Sequence, residues 1–241
     1  MEFYKSNLFN SFSNLTHAYT IKKNENLAFH VNDDEDKVKL NHKLLATQLG
    51  YDLETLVHMK QIHSNLVHNV GEDDNFSNPP TCDALITNKI NTPLMVMVAD
   101  CSPILFYDNV KKVIAVAHAG RAGAFKNIVH NVIKSFKDNY NSDIKDIYIS
   151  IGASIGNCCY KVGGEIYEEA KGLNLEYAIE KKGNNFYLHI NKILKTQLLK
   201  LGIKKEHIEI CDECTCCNNK KYFSYRADSK CGRFAGVLIL K

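Results

Sequence analysis

The fold of this chain is constrained most by how short its apolar segments are, since the longest span only 6 to 8 residues. Such lengths suit β-strands, whereas a helix that crosses a bilayer needs roughly 20 apolar residues. The amino-terminal sequence MEFYKSNLFNSF also contains no apolar core of signal-peptide length. We therefore predict a cytoplasmic globular protein rather than a secreted or integral-membrane one.

Eight segments have the composition of β-strands. They are Leu56–His63, Pro93–Ala99, Ile104–Tyr107, Lys112–Ala117, Ile147–Ile151, Phe186–Ile190, His207–Cys211 and Phe234–Leu240. The fifth alternates isoleucine with other residues, as a half-buried strand does. The runs LMVMVA and VIAVA are continuously apolar, which is typical of central strands buried on both faces.

Four segments favour helices, namely Asp34–Gly50, Ala124–Tyr140, Gly164–Lys171 and Asn191–Leu201. The second carries apolar residues at helical spacing from Phe125 to Phe136, which form one stripe. Strands in clusters with a few separate helices predict a mixed α/β sandwich, an α+β type fold with mixed β-sheets and flanking helices. The chain contains no linker-like tract, so we expect residues 1–241 to form a single domain. The polar stretch Gly71–Thr81 is predicted to be a surface loop.

The charge balance gives no sign of a polyanionic partner. Thirty Lys+Arg face 27 Asp+Glu, and the net charge of +3 is spread along the chain. We therefore expect neither a nucleic-acid surface nor a membrane surface.

Cysteine is the unusual component of the composition. The chain has nine cysteines, an odd number, and we predict that it carries no export signal. This combination argues against a disulfide framework and favours reduced thiols, which serve as buried small side chains, metal ligands or nucleophiles.

Three short segments, KQIHS, ADCSP and AHAGRAG, place reactive side chains where strands are predicted to end. Each offers one metal ligand: His63, Cys101 and His118. One thiolate with two imidazoles suits zinc, and three protein ligands leave a fourth position open for water or substrate. Copper accepts the same donors and is the rival cofactor. The wide spacing of the three residues leaves open that they are an ordinary buried thiol and two hydrogen-bonded histidines.

The turn after His118 contains Gly120 and Gly123 and leads into the helix predicted from Ala124. Glycines before a helix permit close backbone approach, and the free N–H groups there attract anions. The turn therefore predicts a phosphate-sized ligand beside the metal, although a plain strand-to-helix turn fits the same residues.

The ordered motifs LTHAYT, FHVNDDEDKVKLNH, KQIHS, CDALITN, VADCSPILFYD, AVAHAG, IGASIGNCCYKVGGEI, YFSYRAD and GR at 232–233 resemble those of the YfiH/YlmD family of laccase-domain proteins. The resemblance covers nearly the whole chain. It implies a single-domain α/β sandwich with His63, Cys101 and His118 as zinc ligands. It also implies phosphorolysis of purine nucleosides (adenosine, inosine, guanosine or methylthioadenosine) to base and ribose 1-phosphate, with adenosine deamination as a further activity. An older assignment for the family is a copper polyphenol oxidase.

Two departures from the family pattern affect arginines. HAGRAG at 118–123 stands where the family has HAGWRG, so the guanidinium moves by one position to Arg121. FSYRAD stands where the family has FSYRRD and keeps only Arg226. These changes concern the binding of phosphate and leave the metal ligands intact.

Roles can be assigned to further residues near the three ligands. Arg121, Arg226 and the glycine turn are candidate phosphate-binding groups. Asp100 and Asp83 are candidate acid/base or ribose-binding carboxylates, or else aspartates that orient a metal-bound imidazole or form a turn. Gln61 would share a strand face with His63 and bind substrate through its amide, unless it is only a surface polar residue.

Aromatic and cysteine residues near the carboxyl end have competing interpretations. Phe223 or Tyr225 could stack on a purine, although aromatics in strands are more often core residues. Cys211, Cys214, Cys216 and Cys217 fall within seven residues, with Cys231 fourteen further on. They could form a zinc knuckle, but no second well-spaced pair is evident, which favours redox-sensitive thiols without metal.

The leading functional prediction is a zinc-dependent enzyme whose partners are a purine nucleoside and phosphate, active as a monomer or small homo-oligomer. A Cys–His hydrolase or amidase acting on peptidoglycan precursors, with Cys101 as nucleophile and His118 as base, is the alternative. A non-catalytic protein with a structural metal is a third possibility. Laccase chemistry is disfavoured, because the ten histidines include no HxH pair.

Overall fold

A computed structural model describes residues 2–241 of the chain. Its strands are β1 Leu15–Tyr19, β2 Val67–Asn69, β3 Ala84–Thr87, β4 Leu94–Val98, β5 Ser102–Asp108, β6 Val113–Ala119, β7 Ile147–Ile151, β8 Lys161–Val162, β9 Ile179–Lys182, β10 Asn185–Leu188, β11 Ile208–Ile210 and β12 Phe234–Leu240. Its α-helices are α1 Glu35–Leu49, α2 Arg121–Phe125, α3 Ile128–Tyr140, α4 Gly164–Gly172 and α5 Ile190–Lys200.

The strands form three sheets. The largest has the order β11-β7-β5-β6-β3-β2, with parallel pairs at its two edges and antiparallel pairs between them. A second sheet has the order β1-β12-β4 and is antiparallel, and a small third sheet has the order β8-β10-β9. The mixed α/β sandwich predicted from the sequence is confirmed.

Apolar contacts stack these elements in four layers. Helices α3 and α5 pack on one face of the six-stranded sheet, where Phe106 meets Phe136. The other face of that sheet packs against the three-stranded sheet, with Leu105 and Val96 in the shared core. Helix α1 covers the outer face of the three-stranded sheet through Leu45. Strands buried on both faces are continuously apolar, which explains the runs in β4 and β6.

Most predicted elements agree with the structure to within a few residues. Helix α1 begins after Asp34, whose carboxylate accepts a hydrogen bond from the Lys37 amide at 2.8 Å, and it ends at Gly50 with φ +68°. A carboxylate cap and a left-handed glycine are the terminal signals of a helix. The helix predicted over Ala124–Tyr140 is instead two helices, α2 and α3, because Asn127 adopts φ +57° and interrupts the helical backbone.

The predicted strand Leu56–His63 is wrong. The segment forms only isolated bridges, from Val57 to Leu94 and from Lys60 to Thr81. His63 adopts a left-handed backbone with φ +59°, which ends any extended conformation. Strands β1, β2, β3, β8 and β9 were not among the predicted segments.

Within residues 2–241 no helix has the length and apolar character needed to cross a membrane. This agrees with the short apolar segments of the sequence.

Two buried histidines make stability depend on pH. Burial is the main cause that lowers the pKa of His17 and of His42 to about 4, against about 6.5 in an unfolded chain. Below pH 6.5 the unfolded state therefore binds more protons, and stability present at pH 7 is lost as the pH falls towards 4. We expect a loss of about 2–3 kcal/mol per histidine between pH 7 and 4.5.

Urea denaturation at the two pH values measures this loss. A His17→Gln/His42→Gln variant should be less stable at pH 7 but lose less stability on acidification than the wild type. An equal loss in both proteins would contradict the assignment to these two histidines.

Candidate active site

The three predicted ligands meet at one place. His63, Cys101 and His118 offer ligand atoms that all lie within 4.8 Å of one another. The register of the six-stranded sheet explains part of this convergence, because β5 and β6 are antiparallel and pair Pro103 with His118. Cys101 therefore stands beside the carboxyl end of β6, although it lies 17 residues from His118 in the sequence.

Asp83 connects two of the three ligands. One of its carboxylate oxygens accepts hydrogen bonds from His118 Nδ1 at 2.8 Å and from the His63 amide at 3.1 Å. The other accepts from the Ser64 amide at 2.6 Å, the Ser64 hydroxyl at 2.7 Å and the Ile62 amide at 3.3 Å. Asp83 is fully buried, and these donors lower the pKa of its carboxyl far below the usual range despite burial. The carboxylate thus fixes the turn that carries His63 and orients the His118 ring.

The thiol and imidazole at the site influence each other. Burial alone would raise the pKa of Cys101, but the His118 and His63 imidazoles lower it to about 6. Burial would lower the pKa of His118, but Cys101 and Asp83 raise it to about 9. Near neutral pH the pair therefore favours a thiolate next to an imidazolium, whose proton a metal cation could replace.

The donor set fits a zinc ion. With Nδ1 of His118 bound to Asp83, only Nε2 remains to bind a metal, and a carboxylate behind a metal-bound imidazole is the usual arrangement. A thiolate and two imidazoles satisfy three positions of a tetrahedral ion and leave the fourth open. Among residues 2–241 this is the one potential metal cluster that contains histidine, so the donors required for a multicopper centre are not assembled here.

Gly120 permits the close approach of the turn to Cys101. A Cβ added there would lie 2.7 Å from Cys101 Sγ and 3.6 Å from His63 Cδ2, although its backbone conformation suits any residue. We expect Gly120→Ala to weaken zinc binding about 10–100-fold by displacing the thiol, and to cost about 1–3 kcal/mol of stability by overpacking.

Zinc affinity from competition with a chromogenic chelator tests this prediction, and Gly164→Ala is the matched control. A Cβ at Gly164, at the start of α4, meets nothing within 4 Å. Wild-type affinity in Gly120→Ala would show that Cys101 does not bind the metal from this position. Gly123, predicted to precede the helix, lies inside α2, and its Cβ would come within 3.3 Å of the His118 and Ser64 carbonyl oxygens.

Gln61 and Asp100 are held by the protein itself. Gln61 exchanges two hydrogen bonds with the Met97 backbone, at 2.8 and 3.0 Å, so its amide fastens the segment before His63 to β4. Asp100 has φ +80° and accepts from the Thr215 hydroxyl and the Arg226 amide, both at 2.6 Å. Both residues line the cavity described next, and their roles towards substrate remain predictions.

The ligands lie at the wall of a cavity of about 1060 Å³. One part of its lining is apolar and aromatic, and includes Phe29, Phe76, Met59 and Met97. The lining also contains five cationic side chains, which are Lys39, Lys60, Arg121, Arg226 and Arg233, and the imidazole of His30 lies in the same lining. The cavity therefore combines surfaces for a flat apolar group and for an anion.

The three arginines differ in how they are held. Arg121 forms an ion pair with Glu169 at 2.5 Å, so its charge is largely neutralised. Arg226 donates to the Cys159 and Lys161 carbonyl oxygens at 3.1 Å. Arg233 donates to the carbonyl oxygen of Cys231 at 2.6 Å. Carbonyl oxygens position a guanidinium without cancelling its charge, so Arg226 and Arg233 are better placed than Arg121 to attract an anion.

Sequence reasoning assigned no role to His30 or Arg233. Burial lowers the pKa of His30, and the charges of Arg233, His118 and His63 lower it further, which places this imidazole in the same electrostatic environment as the candidate ligands. His30 stands in the segment FHVNDD and Arg233 in the pair GR, both within the resemblance to the family. Their positions in those segments were the available signal.

The fold and the site together define an α/β protein with a candidate His–Cys–His metal centre beside a large cavity. The chain belongs to the family described as multi-copper polyphenol oxidoreductase laccase, whose model matches residues 16–241. It is similar to purine nucleoside phosphorylase YlmD of Bacillus subtilis, with 29% identity over 227 residues that cover 90% of this chain and 82% of that protein.

Two further proteins confirm the resemblance. Purine nucleoside phosphorylase Cj1217c of Campylobacter jejuni is 34% identical over 207 residues, covering 85% of this chain and 86% of that protein. The crystal structure of Bacillus licheniformis hypothetical protein YfiH superposes with a TM-score of 0.90 at 29% identity, covering 97% of this chain and 94% of that one. Membership of the YfiH/YlmD family and its α/β fold are therefore shown.

Proposed function

We propose that this protein is a zinc-dependent purine nucleoside phosphorylase that converts a nucleoside and phosphate into the free base and ribose 1-phosphate. The observation that carries the proposal is the His63–Cys101–His118 cluster at the wall of a cavity with both aromatic and cationic surfaces. The names of the relatives from Bacillus subtilis and Campylobacter jejuni agree with it.

The lining of the cavity suggests where each part of the substrate binds. A purine would pack against the aromatic part of the wall, around Phe29 and Phe76, which lie with ring centroids 6.0 Å apart. The phosphate would bind near Arg226, whose guanidinium is fixed by two backbone carbonyls and also lies over the Tyr160 ring. In this arrangement a phosphate oxygen would face C1′ of the ribose while the base stays on the apolar side.

In the reaction an oxygen of hydrogen phosphate forms a bond to C1′, the glycosidic bond breaks, and the leaving base takes up the proton that the phosphate gives up. A zinc ion held by His63, Cys101 and His118 would supply a Lewis acid at its open position. Arg226 and Arg233 would balance the charge of the phosphate. His30, whose pKa burial lowers, would stay neutral near pH 7 and could hydrogen-bond to the substrate.

Product analysis tests the proposal. Purified protein is incubated with adenosine, inosine, guanosine or methylthioadenosine, with and without phosphate, and the products are separated by chromatography. We expect base and ribose 1-phosphate only when both phosphate and zinc are present. Base release without phosphate would indicate hydrolysis, inosine formed from adenosine would indicate deamination, and inert protein would overturn the proposal.

Arg226 provides a sharper test of the phosphate subsite. Loss of a charged hydrogen-bond donor in Arg226→Gln is expected to raise KM for phosphate about 10–100-fold and to affect KM for the nucleoside much less. Arg226→Lys keeps the charge but cannot form two parallel hydrogen bonds, so its KM for phosphate should lie between those of the wild type and of Arg226→Gln. A uniform change in both KM values would place phosphate elsewhere.

A thiol hydrolase is the second candidate, because Asp83, His118 and Cys101 form a chain like that of a nucleophile, its base and an orienting carboxylate. The Asp83–His118 hydrogen bond is 2.8 Å, and Cys101 Sγ lies within 4.8 Å of a ligand nitrogen of His118. This candidate requires Cys101 free of metal. Metal-depleted protein that hydrolyses amides and is alkylated selectively at Cys101 would support it.

A further inference from the structure

A second cluster of metal-ligating side chains lies apart from the histidines. It consists of Cys158 and Cys159, in the turn before β8, and Cys214 and Cys217, in the turn after β11. Their four Sγ atoms all lie within 4.8 Å of one another, and Cys217 Sγ is 3.5 Å from Cys158 Sγ and 3.4 Å from Cys159 Sγ. Cysteine side chains converge in this number at metal sites.

The sulfur spacing suits one metal ion. Four thiolates around a tetrahedral zinc ion, each bound at about 2.3 Å, lie about 3.8 Å apart. The observed separations are far longer than the bond of about 2.05 Å in a disulfide. An iron–sulfur cluster holds some of its thiolates farther apart than one ion does, because the four thiolates bind more than one iron atom. The Gly156 amide also donates to Cys214 Sγ at 3.2 Å, which stabilises a thiolate.

We propose that Cys158, Cys159, Cys214 and Cys217 bind a second zinc ion. Four protein ligands complete the coordination of zinc, so this site is structural and takes no substrate. It differs in kind from the three-ligand site at the cavity. The assignment also revises the expectation from the sequence, because Cys211, Cys216 and Cys231 lie outside the group and the adjacent pair at 158–159 supplies the missing ligands.

The site would join two loops that support the cavity. The loop of Cys158 and Cys159 provides the Cys159 carbonyl oxygen that positions the Arg226 guanidinium at 3.1 Å. The loop of Cys214 and Cys217 provides Thr215, whose hydroxyl donates to Asp100 at 2.6 Å. A backbone hydrogen bond already joins the two loops, from the Thr215 amide to the Ser154 carbonyl oxygen at 3.1 Å. A zinc ion held by both loops would add a strong cross-link.

Metal content tests the proposal without reference to any activity. Protein purified under reducing conditions and without added metal should contain about two zinc ions per chain, as expected for one closed and one open site. Cys158→Ser and Cys217→Ser should each retain about one, because serine does not replace a thiolate ligand. Both side chains are exposed, so folding is expected to tolerate these changes. Cys216→Ser is the matched control and should retain both ions.

Cobalt substitution tests the site with all four cysteines in place, should a cysteine variant fail to fold. In a His63→Ala background the remaining cobalt should give the intense tetrahedral and thiolate charge-transfer absorption of a four-thiolate site. Cys217→Ser protein that keeps as much zinc as the wild type, no such cobalt spectrum, or loss of zinc in Cys216→Ser equal to that in Cys217→Ser would overturn the assignment. A 158–217 or 159–217 disulfide in protein kept reduced would overturn it as well.

Discussion

Cys101→Ala is expected to release the metal at the cavity and to lower kcat/KM for nucleoside phosphorolysis by about 10³-fold or more. The residue supplies the thiolate among the three ligands, and two imidazoles alone bind zinc far more weakly. A Lewis acid stabilises the transition state by several kcal/mol, and a change of about 1.4 kcal/mol alters the rate tenfold, so its loss accounts for this decrease. Zinc analysis and steady-state kinetics on the same samples measure both effects.

Cys216→Ser is the control for this experiment, because Cys216 belongs to neither potential metal cluster. Chelation of the wild type then separates the two proposed functions. A phosphorylase that uses zinc loses its activity with the metal and regains it on addition of zinc. A thiol hydrolase hydrolyses amides faster once chelation frees Cys101 from the metal. Amide hydrolysis that rises on chelation would therefore count against the zinc enzyme.

Asp83→Asn is expected to have the second large effect, on metal affinity and stability together. An asparagine keeps one acceptor oxygen and replaces the other with an NH₂ group. That group would face an N–H donor, either His118 Nδ1 or the Ser64 amide, whose hydrogen bond the carboxylate now accepts. We expect zinc affinity to fall about 10–100-fold and the free energy of unfolding to fall by about 3–5 kcal/mol, as when one partner of a buried charged network is removed.

Chelator competition and urea denaturation measure these two effects, and Asp73→Asn in the exposed loop at 71–81 is the control. A purely structural aspartate would change stability and leave the zinc affinity of the folded protein intact. That result would contradict a role for Asp83 in orienting His118.

The convergence of His63, Cys101 and His118 was predictable because each stands in a short motif that the resemblance orders along the chain. The strand predicted over Leu56–His63 failed, since apolar composition does not report a left-handed turn such as that at His63, which Asp83 stabilises from a distance. The break at Asn127 was missed for a similar reason, because the apolar stripe continues across it.

The cluster of four cysteines could not be predicted from the sequence, because its two halves lie far apart along the chain. Cys158–Cys159 and Cys214–Cys217 belong to turns that precede β8 and follow β11. Only the parallel pairing of β11 with β7, continued by the Ser154–Cys214 bridge, brings those turns together. Spacing within one stretch of chain grouped Cys214 and Cys217 with Cys211 and Cys216, which lie outside the cluster.

The order β1-β12-β4 has a consequence for how the chain folds during its synthesis on the ribosome. Strand β12 pairs with both neighbours, from Leu15 opposite Leu240 to Val98 opposite Phe234, yet it is translated long after either. Until β12 leaves the ribosome, β1 and β4 lack its backbone hydrogen bonds. Unpaired strand edges of this kind aggregate or bind chaperones. The three-stranded sheet can therefore close only after residues 234–240 have been translated and have left the ribosome.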